Sequence, residues 1–128
     1  MFFLYPRVFD IKEMCNMDCL FCKIINGEIP STKVYEDEYC YAFRDIAPQA
    51  KCHVVLVSKK HVKNIREAAA LSAEERSAMV LAVGKIAEQE KLDDGFRIVS
   101  NCGKHGCQSV EHWHIHILGG EQLAEKMA

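Results

Sequence analysis

Residues His112-Trp113-His114-Ile115-His116-Ile117 alternate imidazole with large apolar side chains, a period of two that belongs to a β-strand. Successive strand side chains point to opposite faces, so His112, His114 and His116 share one face and Trp113, Ile115 and Ile117 the other. The apolar face has to be buried, which commits the chain to a sheet packed on a core. The imidazole face is a poor core, because imidazole fills apolar space badly and neighbouring cations repel. A single histidine would read as structure; a row of three reads as a working surface. Two chemistries use such a row. Histidines on one strand can hold a catalytic metal. Alternatively, one neutral imidazole can attack an electrophile and carry it covalently while its neighbours orient it. The preceding loop, Gly106-Cys107-Gln108-Ser109-Val110, offers a small residue, an amide, a hydroxyl and backbone N–H groups. Such donors suit phosphoryl oxygens better than they suit a metal.

The strand needs a fold around it, and 128 residues provide one domain. A chain of this length buries roughly two-thirds of its unfolded surface and needs no disulfide scaffold. Its seven cysteines, an odd number, fit reduced thiols with or without a metal, and a cytoplasmic protein. The net charge of -2 argues against a general nucleic-acid binder. No apolar run approaches the ~20 residues of a membrane-spanning helix. The apolar opening, Met1 to Phe9, is interrupted by Pro6 and Arg7, has no charged start and precedes no small-residue cleavage site, so it is not read as a secretory signal. Residues 1–16 are expected to be a disordered extension without a role, and residues 17–128 a single domain.

Punctuation and periodicity supply the other elements. Asp18 stands where it can cap a short helix through Ile25, closed by Asn26-Gly27. Lys33-Val34-Tyr35-Glu36 and Tyr39-Cys40-Tyr41-Ala42-Phe43 read as a hairpin around Asp37-Glu38, and Cys52 to Val57 as a central strand. Ser72-Ala73-Glu74-Glu75 is a capping box, with Met79, Val83, Ile86 and Ala87 at helical spacing behind it. That helix is expected to reach about Leu92 and stop at Asp93-Asp94-Gly95. Strands follow at Phe96 to Ser100 and from about Val110 to Leu118, joined by a loop with Gly103 and Gly106. The class is α+β: an antiparallel sheet of about five strands, one long helix and one or two short ones.

The run Gln108-Ser109-Val110-Glu111-His112-Trp113-His114-Ile115-His116-Ile117-Leu118-Gly119-Gly120 resembles the signature of the histidine triad (HIT) superfamily. Its Gly119-Gly120 ending is similar to the Hint-like branch, the purine nucleoside phosphoramidases. The resemblance extends from Cys19 to about Gln122. It takes in Phe21-Cys22-Lys23-Ile24-Ile25, Ile29-Pro30, Ala42-Phe43-Arg44-Asp45-Ile46-Ala47-Pro48-Gln49-Ala50 and Val57-Ser58-Lys59-Lys60-His61.

The resemblance implies a HIT-like fold, a homodimer whose helices pack together and whose sheets run on, and a mechanism. His114 would be the nucleophile that takes a nucleotidyl group at the α-phosphorus. His116 would hold a phosphate oxygen or the leaving-group side, and Ser109 would help protonate a leaving amine. Asp45 would accept from both ribose hydroxyls, and Phe21, Phe43 and Ile46 would hold the base. Asn101, Cys107, Gln108 and Ser109 would join His114 and His116 around the phosphate. The substrate would be a purine nucleotide, such as AMP or an adenosine phosphoramidate, with no catalytic cofactor. Related branches cleave dinucleoside polyphosphates or adenylated adducts, and a nucleotide-binding interaction protein with little turnover is a further reading.

Cys19-Leu20-Phe21-Cys22 is a C-x-x-C with no second pair downstream, and no strand precedes it as a thioredoxin-like motif requires. By resemblance to microbial HIT proteins, His61 and His112 would complete a structural zinc site with Cys19 and Cys22. Cys15, Cys40, Cys52 and Cys102 read as ordinary thiols and His105 as a loop residue. His53 resembles a family histidine near the active site and is given no ligand role. The chain departs from the Hint pattern in three places: Arg44 replaces a histidine, Cys107 replaces a glycine, and the tail lacks the aromatic that would reach a partner's site.

Overall fold

Strands β1 (Lys33–Glu36), β2 (Cys40–Arg44), β3 (Cys52–Ser58), β4 (Phe96–Val99) and β5 (His114–Gly119) make one antiparallel sheet in the order β1-β2-β3-β5-β4. This is seen in a computed structural model that describes residues 18–127; the extension expected over residues 1–16 lies outside the described residues. The β1–β2 hairpin turns at Asp37, whose Oδ1 accepts from the N–H groups of Tyr39 and Cys40 at 2.8 Å each. β3 and β4 run in the same direction with β5 between them, so the chain crosses the sheet through helix α2 (Ala73–Gln89). The short helix α1 (Leu20–Ile25) packs on the opposite face, and a 3-10 turn over Ile65–Ala70 leads into α2.

β3 is buried along its whole length because both of its faces are covered. Its alternation then sorts two cores. Cys52, Val54 and Leu56 join Trp113, Ile115, Ile117 and the α2 residues Met79, Ala82 and Ile86. Val55 and Val57 join Phe43 and the α1 residues Phe21, Cys22 and Ile24. In the β3–β5 register Val55 faces His116 and Val57 faces His114, which puts those histidines on the α1 side.

Several boundaries differ from the sequence expectation. The cap of α1 is Cys19 rather than Asp18: the Cys19 Sγ accepts from the Cys22 N–H at 3.4 Å. Helix α2 has its capping box at Ser72 and Glu75 but ends at Gln89, before Leu92. Lys91 adopts a left-handed conformation (φ 59°), and the N–H groups of Lys91 and Leu92 return to the carbonyls of Glu88 and Ala87. This is the turn that glycine usually makes at a helix end, and it folds Leu92 back into the core. The last strand begins at His114, not near Val110, so His112 lies ahead of it.

Candidate functional site

His112 and His114 are both buried, and each ring is oriented by a backbone carbonyl. The His112 Nε2–H donates to the Ser58 carbonyl at 2.6 Å, leaving the Nδ1 lone pair bare. That nitrogen lies 3.3 Å from Cys19 Sγ, 3.6 Å from Cys22 Sγ and 3.1 Å from His61 Nδ1, and Cys22 Sγ is 3.4 Å from His61 Nδ1. Two sulfurs and two nitrogens around a tetrahedral zinc, with bonds of about 2.0–2.3 Å, stand about 3.3–3.8 Å apart. The four groups therefore fit that ion, and the Ser58 carbonyl fixes the tautomer a ligand needs. A hydrogen bond from Cys22 lowers the Cys19 thiol pKa; burial opposes this and His112 lowers it further.

His114 has the opposite tautomer. Its Nδ1–H donates to the His112 carbonyl at 2.6 Å, so the neutral ring bares Nε2. Burial lowers its pKa, with the His112 carbonyl as the leading opposing effect. The Phe21 ring meets it edge-on at 4.9 Å, and Phe21 packs on Phe43 at 5.6 Å. His116 follows on the same face, 5.1 Å from His114 between ring centroids. Burial pushes His116 down to about 4, helped by the neighbouring His114 and His53 and opposed by Asp45. All three histidines lie on the α1 side, but only His114 and His116 belong to the strand; His112, ahead of it, sits 6.0 Å from the Phe21 ring and turns toward the cysteines.

By resemblance His53 was expected near the active site, without a ligand role, and it lies against this group. Its Nδ1 accepts from the Gln49 N–H at 2.9 Å, and its Nε2 faces His116 Nδ1 at 2.8 Å and Asp45 Oδ2 at 3.4 Å. Burial lowers its pKa, against Asp45. The signal available in the sequence was one polar residue inside an apolar central strand. Asp45, His53 and His116 also come close enough together to be weighed as metal ligands. The Gln49 N–H argues against it, because an Nδ1 that accepts a hydrogen bond leaves the neutral ring's proton on Nε2. A metal there would strip both nitrogens of protons. Among the described residues, the Cys19, Cys22, His61 and His112 group has metal-ligand spacing and includes a ring nitrogen, His112 Nδ1, that carries no proton in the neutral form.

The remaining expected site residues divide. Asp45 keeps one oxygen on the Ala47 N–H at 2.8 Å and the other toward His53. Ile46 is fully exposed (100 %), beside the strand end that carries Phe43. Asn101 follows β4, whose Val99 pairs with His116, and Ser109 is exposed in the loop before the histidines. Gln108 spends its amide on the protein: Oε1 accepts from the Gly103 N–H, and Nε2 donates to the carbonyls of Lys63 and Val110. It braces the loop from within. Cys107 is exposed at φ 60°, and a Cβ on Gly106 would come within 2.7 Å of the Cys102 carbonyl oxygen. Arg44 points to the α2 side, paired with Glu90 at 2.7 Å, so that departure does not touch the histidine face.

Comparison with known proteins agrees with this arrangement. The HIT domain family matches residues 26–123. A 14 kDa zinc-binding protein of Zea mays is 48% identical over 118 residues, covering 88% of this chain and 90% of its own. The purine nucleoside phosphoramidase of Escherichia coli is 39% identical over 112 residues, covering 87% and 94%. Among solved structures, a HIT family hydrolase from Clostridium thermocellum superposes with a TM-score of 0.84 at 38% identity, covering 89% of this chain and all of its own. No helix among the described residues is long and apolar enough to cross a membrane.

Proposed function

Because the chain belongs to the HIT domain family, we propose that it is a nucleotide-binding hydrolase cleaving nucleoside 5'-phosphoramidates, adenosine foremost, through a nucleotidyl-His114 intermediate. The observation that carries this reading is the His114 tautomer: a buried neutral imidazole with Nδ1–H on a carbonyl and its Nε2 lone pair bare. Such a nitrogen attacks the α-phosphorus, forming the Nε2–P bond as the P–N bond breaks. The departing nitrogen keeps the bond's electron pair and must take a proton, and the exposed Ser109 hydroxyl is the group that delivers one from solvent. Water then attacks the phosphorus, the Nε2–P bond breaks, and the monophosphate leaves.

Phosphoryl transfer asks mainly for positioning and for charge stabilisation at the non-bridging oxygens. His116, Asn101 and the loop around Cys107 are assigned to the phosphate, with Gln108 holding that loop in shape. Asp45 is assigned to the ribose diol, and Phe21, Phe43 and Ile46 to the base. Cys19, Cys22, His61 and His112 are assigned to a structural zinc, a reading supported by their spacing and by the zinc-binding name of the maize relative. When bound, that ion would tie α1 to the loop before β5, and no chemical step passes through it. A homodimer is supported by apolar side chains left exposed on α2 (Val80, Leu81) and on the edge strand β4 (Phe96, Ile98).

Turnover of adenosine 5'-phosphoramidate, measured beside diadenosine polyphosphate and AMP binding, tests the assignment. Faster cleavage of the phosphoramidate is expected. Preference for the polyphosphate would move the protein to another branch, and AMP binding without turnover would make it a binding protein.

A further inference from the structure

His53 has no assigned part in the reaction, yet its hydrogen bonds determine which nitrogen of His116 carries a proton. The chain begins at the backbone. The Gln49 N–H occupies His53 Nδ1 at 2.9 Å, so the neutral ring's proton sits on Nε2. That N–H points at His116 Nδ1, 2.8 Å away, which must then accept. A neutral His116 accepting at Nδ1 carries its own proton on Nε2. We propose that His53 is a positioning residue that holds His116 as the Nε2–H tautomer, making it a fixed hydrogen-bond donor to the phosphoryl group. The inference rests on the hydrolase reading for its consequence in turnover, though not for the tautomer itself.

What gives His53 this importance is Asp45. Its carboxylate lies 3.4 Å from the His53 Nε2 and within 4.8 Å of the His116 nitrogen. Without His53, the nearest strong acceptor to His116 Nδ1 is this anion, which would draw the proton onto Nδ1 and leave a lone pair at Nε2. A lone pair turned toward anionic phosphoryl oxygens repels where a donor would stabilise. The other group facing His116 is His114, with ring centroids 5.1 Å apart. Its Nδ1 proton is already committed to the His112 carbonyl, so it does not compete for the His116 proton. The burial that keeps His53 and His116 neutral makes the tautomer, rather than the charge, the variable in play.

The test reads the tautomer directly, without substrate. Two-bond proton–nitrogen correlation on histidine-labelled protein should show His116 protonated at Nε2 and bare at Nδ1. In His53→Leu the pattern should invert toward Nδ1–H, and kcat for adenosine phosphoramidate should fall on the order of a hundredfold with KM within a few-fold. His53→Gln offers an N–H to His116 but no ring nitrogen to Gln49, so it shares the loop defect of the leucine variant. It should restore the Nε2–H tautomer and most of kcat. A wild-type His116 protonated at Nδ1 overturns the inference, and that measurement requires no variant to fold. So does a His53→Leu protein whose His116 tautomer is unchanged, or a His53→Gln protein no better than His53→Leu in turnover and tautomer. If the protein fails to cleave phosphoramidates, the hydrolase reading falls while the tautomer result still stands or falls separately.

Discussion

His112 and His114 each give one ring proton to a backbone carbonyl, yet the nitrogens left bare differ, Nδ1 in the first and Nε2 in the second. That difference suits the first to the proposed zinc site and the second to the proposed nucleophilic role. In the sequence the two residues look equivalent, two members of one alternating row, because nothing in a row of residues shows which carbonyl each ring will meet. Only family resemblance divided their roles beforehand. The same blindness affected Gln108, whose amide reads as a phosphate donor until the fold brings Lys63 and Gly103 to it. Cys107 is the case the sequence did flag. It stands where a glycine is usual and takes φ 60°, which costs a residue with a Cβ about 1–2 kcal/mol. Cys107→Gly should therefore raise stability, by about 0.5–1 kcal/mol once the freer unfolded chain is counted. Urea denaturation checks this, and a loss of stability would mean that the thiol makes a contact worth more than the backbone relief.

Helix α2 was the most legible element at its start and the least at its end. A capping box is local chemistry, Ser72 and Glu75 each closing the other's backbone, so four residues announce it. The stop at Lys91 carries no such mark, because the left-handed turn is taken by a lysine and enforced by the burial of Leu92. The strands were legible wherever one face is core, since alternation survives in β2 and β5. For α1, the cysteine that reads as a possible ligand also caps the helix, displacing Asp18 from that task. With the zinc in place, α1, the His61 loop and the start of β5 would be held at one point. Cys19→Ser should then lose bound zinc and melt lower, because a structural zinc contributes directly to folding. His114→Ala should keep both zinc and melting temperature. Metal analysis and thermal melting of the two variants check the pair, and an unchanged melting point in a zinc-free Cys19→Ser would remove the structural role.

The whole molecule divides its sheet between two tasks: the α2 side is an apolar core, and the α1 side carries the histidines over a smaller one. This division follows from the period of two in β3 and β5 and could be read in advance for β5. It was hidden in β3, where burial on both faces masks the alternation. Among the apolar side chains left exposed, Val80 and Leu81 on α2 with Phe96 and Ile98 on the edge strand are the surface that the proposed second copy would cover. Sedimentation should give a mass near two subunits, and Ile98→Lys should shift it to one; a monomeric parent protein would remove the dimer. The division also leaves the buried His114 with a bare Nε2 on the face proposed for the nucleotide, which is the basis of its proposed role as nucleophile. The most direct measurement is a rapid denaturing quench during turnover of radiolabelled adenosine phosphoramidate. A label bound to the protein through an acid-labile, base-stable phosphorus–nitrogen bond, mapped to His114 and absent from His114→Ala, is the predicted result. Turnover at full rate by His114→Ala, with no label trapped on either protein, would contradict it.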